Sequence, residues 1–271
     1  MTTVTNVSSE PAALLALAVD LAERAGELAA QGRRRGLTKP DTKSSPTDMV
    51  TEFDRASESL IVTGLRAARP DDGIVGEEGA NVTGTSGIEW FIDPIDGTTN
   101  YLYGQPAWAV SIAAADGSGT MVGVVHASVL AETFAAVRGG GARLNGADIA
   151  VSATTELANA LVATGFSYRA AMRAAQGALA HHVLPRVRDI RRLGSAALDL
   201  CFVACGRCDA YYEEGLNAWD SAAGALIAAE AGATVVDFGG GPARPDRVVA
   251  CTPAIAAALL ATLRDGGAPI G

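Results

Sequence analysis

Residues 90–100, with the sequence WFIDPIDGTTN, constrain the fold more than any other stretch of the chain. The first three residues are apolar, which predicts the end of a buried strand. Pro94 fixes its own φ and favours an extended conformation at the residue before it, so a sharp turn is expected directly after the strand. Gly97 permits a tight backbone path, and Thr98 and Thr99 favour the start of a helix. The stretch therefore predicts a strand, a turn and a helix in immediate succession.

Two acidic residues of this stretch, Asp93 and Asp96, flank the predicted turn. Such a segment can gather two carboxylates and a backbone carbonyl at one point, and can aim free N–H groups of a helix start at the same point. Hard oxygen ligands beside an anion site indicate a Mg²⁺–phosphate centre. A strand-to-helix turn with a capping acid is the structural alternative, but acids in three further segments favour the metal site.

Those three segments contain Glu77, Asp54 and Asp220. Glu77 is the first of two adjacent acids that end a short apolar strand, and a cation would relieve their repulsion. Asp54 matches a capping box with Thr51 only loosely, because Asp is shorter than the preferred Glu, and could instead hold a hydroxyl or water at a metal centre. Asp220 falls in the first turn of a predicted helix, where it could simply complement the helix dipole. Each acid thus has a structural and a functional interpretation.

Hydrophobic spacing predicts two helices before Pro70 and a meander of three strands after Asn100. The first helix is expected to open at the sequence SEP, residues 9–11, because Ser caps helices and Pro suits their first turn. Beyond the meander, predicted strands and helices alternate, and residues 194–205 are predicted to form an amphipathic helix. We therefore predict two halves, residues 1–152 and residues 153–271.

The charge balance limits the partners that the chain can bind. A net charge of −9 and a pI of about 4.8 argue against a general nucleic-acid or acidic-membrane binder. An anionic substrate must then be attracted by local metal ions. The first basic residue is Arg24, and the apolar run at residues 12–19 is too short to span a bilayer, so a cytoplasmic protein is expected.

Cys205 and Cys208 form a CxxC pattern, which could indicate redox chemistry or half of a zinc site. The sequence has no second CxxC. Cys201 and Cys205 are four positions apart in an apolar helical pattern, which favours buried thiols. The role of this pair is left open.

Taken in order, these segments resemble the inositol monophosphatase family of metal-dependent, lithium-sensitive sugar phosphatases. Four motifs carry the resemblance: Lys43, Ser44, Ser45 and Pro46 with Asp48, Val50, Thr51 and Asp54; Gly76, Glu77 and Glu78; residues 93–100; and residues 219–224 (WDSAAG). The resemblance implies an α/β (α+β) fold, a layered αβαβα sandwich that is commonly a homodimer, with the site between its two halves.

The resemblance also implies the metal ligands, for two to three Mg²⁺ ions. Glu77, Asp93 and the carbonyl of Ile95 are expected to hold the first ion. Asp93, Asp96 and Asp220 are expected to hold the second, and Glu77 with waters a weaker third. Li⁺ is expected to inhibit.

The catalytic and substrate contacts follow from the same resemblance. Thr98, paired with Asp54, is expected to orient the attacking water, and the N–H groups of Gly97 and Thr98 to hold phosphate oxygens. Substrate hydroxyls are expected to contact Asp96, Ser195, Ala196 and Glu213. Lys43 is expected on a mobile loop near the third ion. The implied reaction is hydrolysis of inositol monophosphate to myo-inositol and phosphate, by direct in-line attack of a metal-activated water.

Sister activities of the superfamily remain alternatives, namely fructose-1,6-bisphosphatase and histidinol-phosphate phosphatase. Glu213 suits a polyol with neutral hydroxyls better than a second phosphate, which favours the inositol branch. Residues 166–173 match no pattern of the family, and Arg169 or Arg173 could bind a second anionic group. An alternative of another class is a regulatory, protein-binding role on the same fold, because some bacterial relatives act in transcription complexes.

Overall fold

The computed structural model describes residues 8–35, 41–42 and 49–269. The predicted mobile loop with Lys43, and the motif residues as far as Asp48, lie outside these ranges, so their roles stay predictions. The described ranges contain seven α-helices: α1 (Pro11–Arg35), α2 (Glu52–Ala68), α3 (Thr98–Tyr103), α4 (Ala170–Val183), α5 (Ala196–Ala204), α6 (Ala218–Glu230) and α7 (Ala256–Asp265). None of them combines the length and the apolar content that crossing a membrane requires.

The described strands form three sheets. A two-stranded sheet pairs β1 (Asp41–Thr42) with β2 (Met49–Val50). The largest sheet contains β3 (Gly73–Gly76), β4 (Asn81–Val82), β5 (Glu89–Asp96), β6 (Ala109–Asp116), β7 (Gly119–Ala127), β8 (Glu132–Val137), β9 (Ala142–Leu144) and β10 (Ala147–Asp148). A third sheet contains β11 (Leu161–Thr164), β12 (Asp189–Arg191), β13 (Ala210–Glu214), β14 (Thr234–Val236) and β15 (Arg247–Cys251).

The eight-stranded sheet has the order β10-β9-β8-β7-β6-β5-β3-β4 and is antiparallel except where β3 pairs with β5. The predicted meander is therefore confirmed, because β6, β7 and β8 are consecutive antiparallel neighbours. The five-stranded sheet has the order β12-β11-β13-β15-β14, with β11 parallel to both of its neighbours. Its other pairings are antiparallel.

Apolar faces stack these elements into five layers. Leu21 of α1 and Ile61 of α2 pack with Trp90 and Ile112 on one face of the eight-stranded sheet. Helices α5 and α6 cover its other face and also contact the five-stranded sheet. Helices α4 and α7 cover the far side of that second sheet. The predicted layered αβαβα sandwich is confirmed. Its division at residue 152 stays a prediction, since one buried core joins both sheets through α5 and α6.

The strand β5 does not end where the sequence predicts. We expected a sharp turn directly after Ile92, but β5 continues to Asp96. Asp93 pairs with Ser111 and Asp96 with Ala109. Between these two pairs β5 therefore contains one residue more than β6. This is a β-bulge, and bulges accommodate proline because the missing N–H is not needed for pairing there. Pro94 therefore lies within the strand.

Helix α5 was wrongly predicted to be amphipathic. Eight of its nine residues are buried, with Phe202 the exception. The reason is its place between two sheets, which covers both of its faces. A helix that is apolar on all sides is typical of such a position.

Helix α6 approaches both of its neighbours closely through glycines. As the sequence indicates for Gly224, a Cβ at that position would lie 2.8 Å from the Cβ of Leu200 on α5. A Cβ at Gly123 of β7 would lie 2.8 Å from the carbonyl oxygen of Ala223 and 2.9 Å from its Cα. Because those last atoms are backbone, a larger residue at position 123 must displace α6.

We predict that Gly123→Ala lowers the free energy of unfolding by about 1–3 kcal/mol, the usual range for overpacking. Urea denaturation measures the change. Gly117→Ala is the matched control, because a Cβ at Gly117 meets no atom within 4 Å. Equal effects of the two substitutions would contradict the close approach of α6 to β7.

Candidate metal and active site

The start of α2 fixes the carboxylate of Asp54. Thr51 caps the helix and accepts from the N–H of Asp54 at 3.3 Å, while Asp54 Oδ2 accepts from the N–H of Thr51 at 2.7 Å and from its hydroxyl. The capping box that the sequence matched only loosely is thus complete. The other oxygen, Oδ1, accepts from Thr98 Oγ1 at 3.2 Å. Asp54 therefore connects the start of α2 to the start of α3.

Three carboxylates converge where β5, α3 and α6 meet. Asp93, Asp96 and Asp220 each offer an oxygen, and these oxygens lie within 4.8 Å of one another. Asp93 Oδ1 also accepts the N–H of Ile95 at 3.0 Å, and Asp220 Oδ2 accepts the N–H of Asn217 at 2.6 Å. Each carboxylate is therefore oriented by nearby backbone and still directs an oxygen to a common point.

The crowding of these acids disfavours their charged forms. Burial raises the pKa of Asp93 well above the usual value of an aspartate, and repulsion from neighbouring carboxylates raises it further. The same two causes raise the pKa of Asp220. Burial raises the pKa of Asp96 to about 6, although hydrogen bonds from Ser195 and Ala197 act in the opposite direction. A bound cation would offset this repulsion and allow all three to ionise.

Asp96 is held from the second half of the chain. Its Oδ2 accepts from Ser195 Oγ at 2.6 Å and from the N–H of Ala197 at 2.7 Å, both at the start of α5. Ser195 is 1% exposed and does not line the cavity described next. Its hydroxyl therefore holds Asp96, and its predicted contact with a substrate hydroxyl stays a prediction.

A cavity of about 380 Å³ opens above the carboxylates. Nine of the residues predicted for the site line it: Glu77, Asp93, Ile95, Asp96, Gly97, Thr98, Ala196, Glu213 and Asp220. Asp54 and Ser195 lie behind the wall and bond to Thr98 and Asp96 respectively. The structure thus brings together every predicted site residue that it describes, while their individual roles stay predictions.

The donor set of this cavity fits Mg²⁺. The converging ligands are carboxylate oxygens, and the carbonyl oxygen of Ile95 lies on the same wall, 3.1 Å from Thr98 Oγ1. Mg²⁺ prefers such hard oxygen ligands together with waters and phosphate oxygens. Within the described ranges, no other group of three or more carboxylate, histidine or cysteine side chains could hold a metal ion.

The cysteines do not contribute to a metal site in the described part of the chain. All four are free, and Cys201 and Cys208 are buried. Burial raises the pKa of Cys201 and raises the pKa of Cys208 to about 12. Because thiolates are the reactive and metal-binding forms, these two thiols are unreactive. The expectation of buried thiols at Cys201 and Cys205 is confirmed for Cys201, whereas Cys205 is partly exposed.

A larger groove of about 810 Å³ lies on the other side of α6. Ala218 and Ser221 line this groove, whereas Trp219 and Asp220 line the acidic cavity. The groove holds none of the converging carboxylates. Chemistry, rather than size, therefore identifies the acidic cavity as the candidate site.

Glu213 on β13 forms the wall opposite the carboxylate cluster. Tyr211 donates its hydroxyl hydrogen to Glu213 Oε2 at 2.7 Å, which fixes the carboxylate. Burial raises the pKa of Glu213 to about 7, although the Tyr211 bond and the Arg192 charge lower it. The Glu213 side chain therefore loses its proton at a lower pH in the unfolded chain than in the folded protein.

We predict that this difference appears in the pH dependence of stability without metal. Between about pH 4.5 and pH 7 the folded protein keeps a proton that the unfolded chain releases, so the contribution of Glu213 to stability falls as pH rises. The Glu213→Gln variant has no titrating group at this position. Its free energy of unfolding, relative to that of wild type, should therefore increase by up to about 3 kcal/mol between about pH 4.5 and pH 7. Urea denaturation in chelator measures this, with exposed Glu156→Gln as the control. A pH-independent difference would contradict the assignment.

Arg192 is a cavity residue that the sequence analysis missed. Residues 166–168 line the cavity, so part of the segment without a family pattern does reach the site. The arginines proposed from that segment, Arg169 and Arg173, are not among the lining residues; Arg192 supplies the cavity's guanidinium instead. Arg192 could have been found from the sequence, because it lies only three positions before Ser195, a predicted site residue.

Comparison with known proteins agrees with this geometry. Residues 10–267 match the model of the inositol monophosphatase family. A Mycobacterium tuberculosis protein named inositol-1-monophosphatase SuhB is 46% identical, with 96% of this chain and 97% of that protein aligned. The Pasteurella multocida protein named Nus factor SuhB is 43% identical over 84% of this chain and 86% of its own. A crystal structure of SuhB from Bartonella henselae superposes with a TM-score of 0.88 at 35% identity, covering 94% of this chain and 99% of that one. The chain belongs to the inositol monophosphatase family.

Proposed function

We propose that the protein hydrolyses inositol monophosphate to myo-inositol and phosphate in a Mg²⁺-dependent reaction. One observation carries the proposal: the oxygens of Asp93, Asp96 and Asp220 lie within 4.8 Å of one another in a cavity that also contains Thr98. Family membership supports it, and so does the name of the Mycobacterium tuberculosis relative. The oxygen donors suit Mg²⁺, and Li⁺ is proposed as an inhibitor.

The side chains of the cavity have complementary tasks in this reaction. When bound, Mg²⁺ lowers the pKa of water and screens the charge of the phosphate. Thr98 donates its hydroxyl hydrogen toward Asp54 and the Ile95 carbonyl, so its lone pairs are free to accept a hydrogen bond from the attacking water. Glu77 lies on the same wall as a second acceptor for that water. Fixing the water in line with the phosphate supplies much of the acceleration through positioning.

Substrate contacts are proposed on the opposite wall. Ala196, Glu213 and Asp96 all line the cavity. Polyol hydroxyls can donate to Glu213, whereas a phosphate beside this carboxylate would be repelled. The N–H groups of Gly97 and Thr98 are proposed to hold phosphate oxygens. No nucleophilic Ser, Cys or His of the chain is required.

A substrate panel tests the proposal. Phosphate release is measured with inositol 1-phosphate, fructose 1,6-bisphosphate and histidinol phosphate while Mg²⁺ is titrated, and the best substrate is repeated with Li⁺. The proposal predicts a lead for inositol 1-phosphate that depends on Mg²⁺ and falls with Li⁺. A lead for fructose 1,6-bisphosphate would transfer the activity to that branch and would make Arg192 the first residue to substitute in a search for the partner of its second phosphate.

A protein-binding role is the second candidate function. The names of relatives such as the Nus factor SuhB of Pasteurella multocida favour it. The complete set of acids argues against a purely non-catalytic protein. Binding of a purified partner by both wild type and Asp93→Asn, with equal affinity, would support a role that is independent of catalysis. A homodimer is proposed from the family resemblance, and light scattering on the purified protein tests it.

A further inference from the structure

A buried carboxylate from another element fixes the turn that carries Glu77. Glu58 of α2 is 6% exposed and accepts two backbone hydrogen bonds from this turn. The N–H of Glu78 lies 2.8 Å from Glu58 Oε2, and the N–H of Ala80 lies 3.0 Å from Oε1. Each oxygen of a carboxyl group can accept a hydrogen bond, so one side chain can hold two N–H groups at once. The side chain of Glu58 therefore acts as a two-point clamp on the turn.

The other N–H groups of the turn are also bonded. The N–H of Gly76 donates to the carbonyl of Ala80 at 2.7 Å, and the N–H of Gly79 donates to the carbonyl of Gly76 at 3.4 Å. The N–H of Glu77 donates to the carbonyl of Ile92 at 3.1 Å, directly before Asp93 on β5. The backbone of Glu77 is thus held against the strand that supplies the carboxylate cluster.

A glycine at position 76 makes room for this clamp. A Cβ on Gly76 would lie 2.3 Å from Glu58 Oε2 and 2.8 Å from its Cδ. Non-bonded atoms do not approach each other this closely, so any side chain at position 76 must displace the carboxylate of Glu58. The absence of a side chain at Gly76, just before Glu77, therefore leaves the space that the carboxylate of Glu58 occupies.

Asp54 and Glu58 lie one helical turn apart on the same face of α2. Both are buried. Asp54 accepts from Thr98 at the start of α3, and Glu58 holds the turn after β3. Capped by Thr51, this single helix supports both the residue proposed to orient water and the turn that carries Glu77.

We infer that Glu58 is a positioning residue that places the carboxylate of Glu77 and thereby sets the metal affinity of the site. The inference rests on the proposed function and on the expectation, from the family resemblance, that Glu77 is one of the metal ligands. Glu58 itself does not line the cavity. Glu58 fixes the conformation of the Glu77 turn before a cation binds. Less conformational entropy is then lost on binding, so the cation binds more tightly.

Direct metal binding by the Glu58→Gln variant tests the inference. Gln keeps the shape but has one acceptor oxygen, so one N–H of the turn loses its partner. Mn²⁺ is titrated into the full chain without substrate, and free Mn²⁺ is followed by electron paramagnetic resonance. We expect the dissociation constant to rise between about 10- and 100-fold, the usual effect of removing a partner that orients a ligand. The control is Glu52→Gln, an exposed acid on the same helix, which should bind as wild type does.

Two further measurements separate positioning from a general loss of stability. The kcat of Glu58→Gln should recover when Mg²⁺ is raised to saturation, which a partly unfolded variant would not show. In metal-free wild type, the amides of Glu78 and Ala80 should exchange with solvent slowly, and this test needs no variant. Gly76→Ala, which displaces the same carboxylate, should also weaken Mn²⁺ binding.

The outcomes distinguish this inference from the proposed function. Unchanged Mn²⁺ affinity in Glu58→Gln, or fast exchange at both amides, would overturn the role of Glu58 while leaving an active wild type intact. Absence of Mn²⁺ binding and phosphate release in wild type would instead refute the proposed function.

Discussion

Asp93→Asn is expected to lower kcat at least about 1,000-fold while the fold survives. The substitution removes a negative ligand from the carboxylate cluster, and metal ions supply several kcal/mol of charge stabilisation in such sites. The local backbone should not change, because Asn can still accept the N–H of Ile95 that Asp93 Oδ1 accepts at 3.0 Å. Steady-state phosphate release at saturating Mg²⁺ measures the loss.

The stability of this variant separates a lost ligand from a lost fold. Without metal, Asp93 is buried next to other carboxylates, and this raises its pKa. Replacing it with a neutral side chain removes that repulsion, so the free energy of unfolding in chelator should stay constant or increase. Asp148→Asn is the control, because Asp148 is an exposed acid paired with Arg143. It should change neither kcat nor the free energy of unfolding. A fall in stability that accompanies the fall in kcat would contradict a ligand role.

Asp72→Ala should cause the largest loss of stability. Asp72 is 2% exposed and receives hydrogen bonds from Arg69, from Ser86 at 2.6 Å and from the indole N–H of Trp90 at 2.9 Å. These bonds join the end of α2 to the start of β5. Removing the carboxylate takes an ion-pair partner from the largely buried guanidinium of Arg69 and the acceptor from the buried indole N–H of Trp90. Breaking a buried pair in this way costs about 3–5 kcal/mol, which urea denaturation can measure.

The pH dependence of this loss gives a second test. Burial acts to raise the pKa of Asp72, but its hydrogen bonds, above all that from Arg69, outweigh burial and lower it. The carboxylate therefore stabilises the protein above the pKa of about 4 of an unfolded aspartate, and this is lost as pH falls through the lower folded pKa. The difference between wild type and Asp72→Ala should shrink in strong acid. Asp116→Ala, which breaks the exposed pair with Arg138, is the control and should destabilise the protein far less than Asp72→Ala does.

The site could be predicted where its signals are local in the chain. Asp93, Asp96 and Thr98 lie within seven residues, and their residue types already indicate a metal and phosphate centre. Helix α1 begins at Pro11, as the sequence SEP predicts, because caps act on neighbouring residues. The layered fold followed from the family resemblance rather than from residue spacing. Five layers require contacts between distant segments, which periodicity does not contain.

What could not be predicted depends on distant partners. The extension of β5 past Pro94 requires its pairing with β6, which absorbs the extra residue in a bulge. The burial of α5 follows from two sheets that meet around it, although its composition, with Asp199 as its one charged residue, was a usable sign. Glu58 is indistinguishable by sequence from other helix acids, since its partners lie some twenty positions later.

The most direct test of the account is the rate of phosphate release from inositol 1-phosphate as Mg²⁺ is added to chelator-treated protein. The wild type should show no activity in chelator and a saturable rise with Mg²⁺, while Asp93→Asn stays near the baseline at every concentration. Equal release in the presence and absence of chelator, or a full rate from Asp93→Asn, would contradict a metal-dependent centre built on Asp93, Asp96 and Asp220.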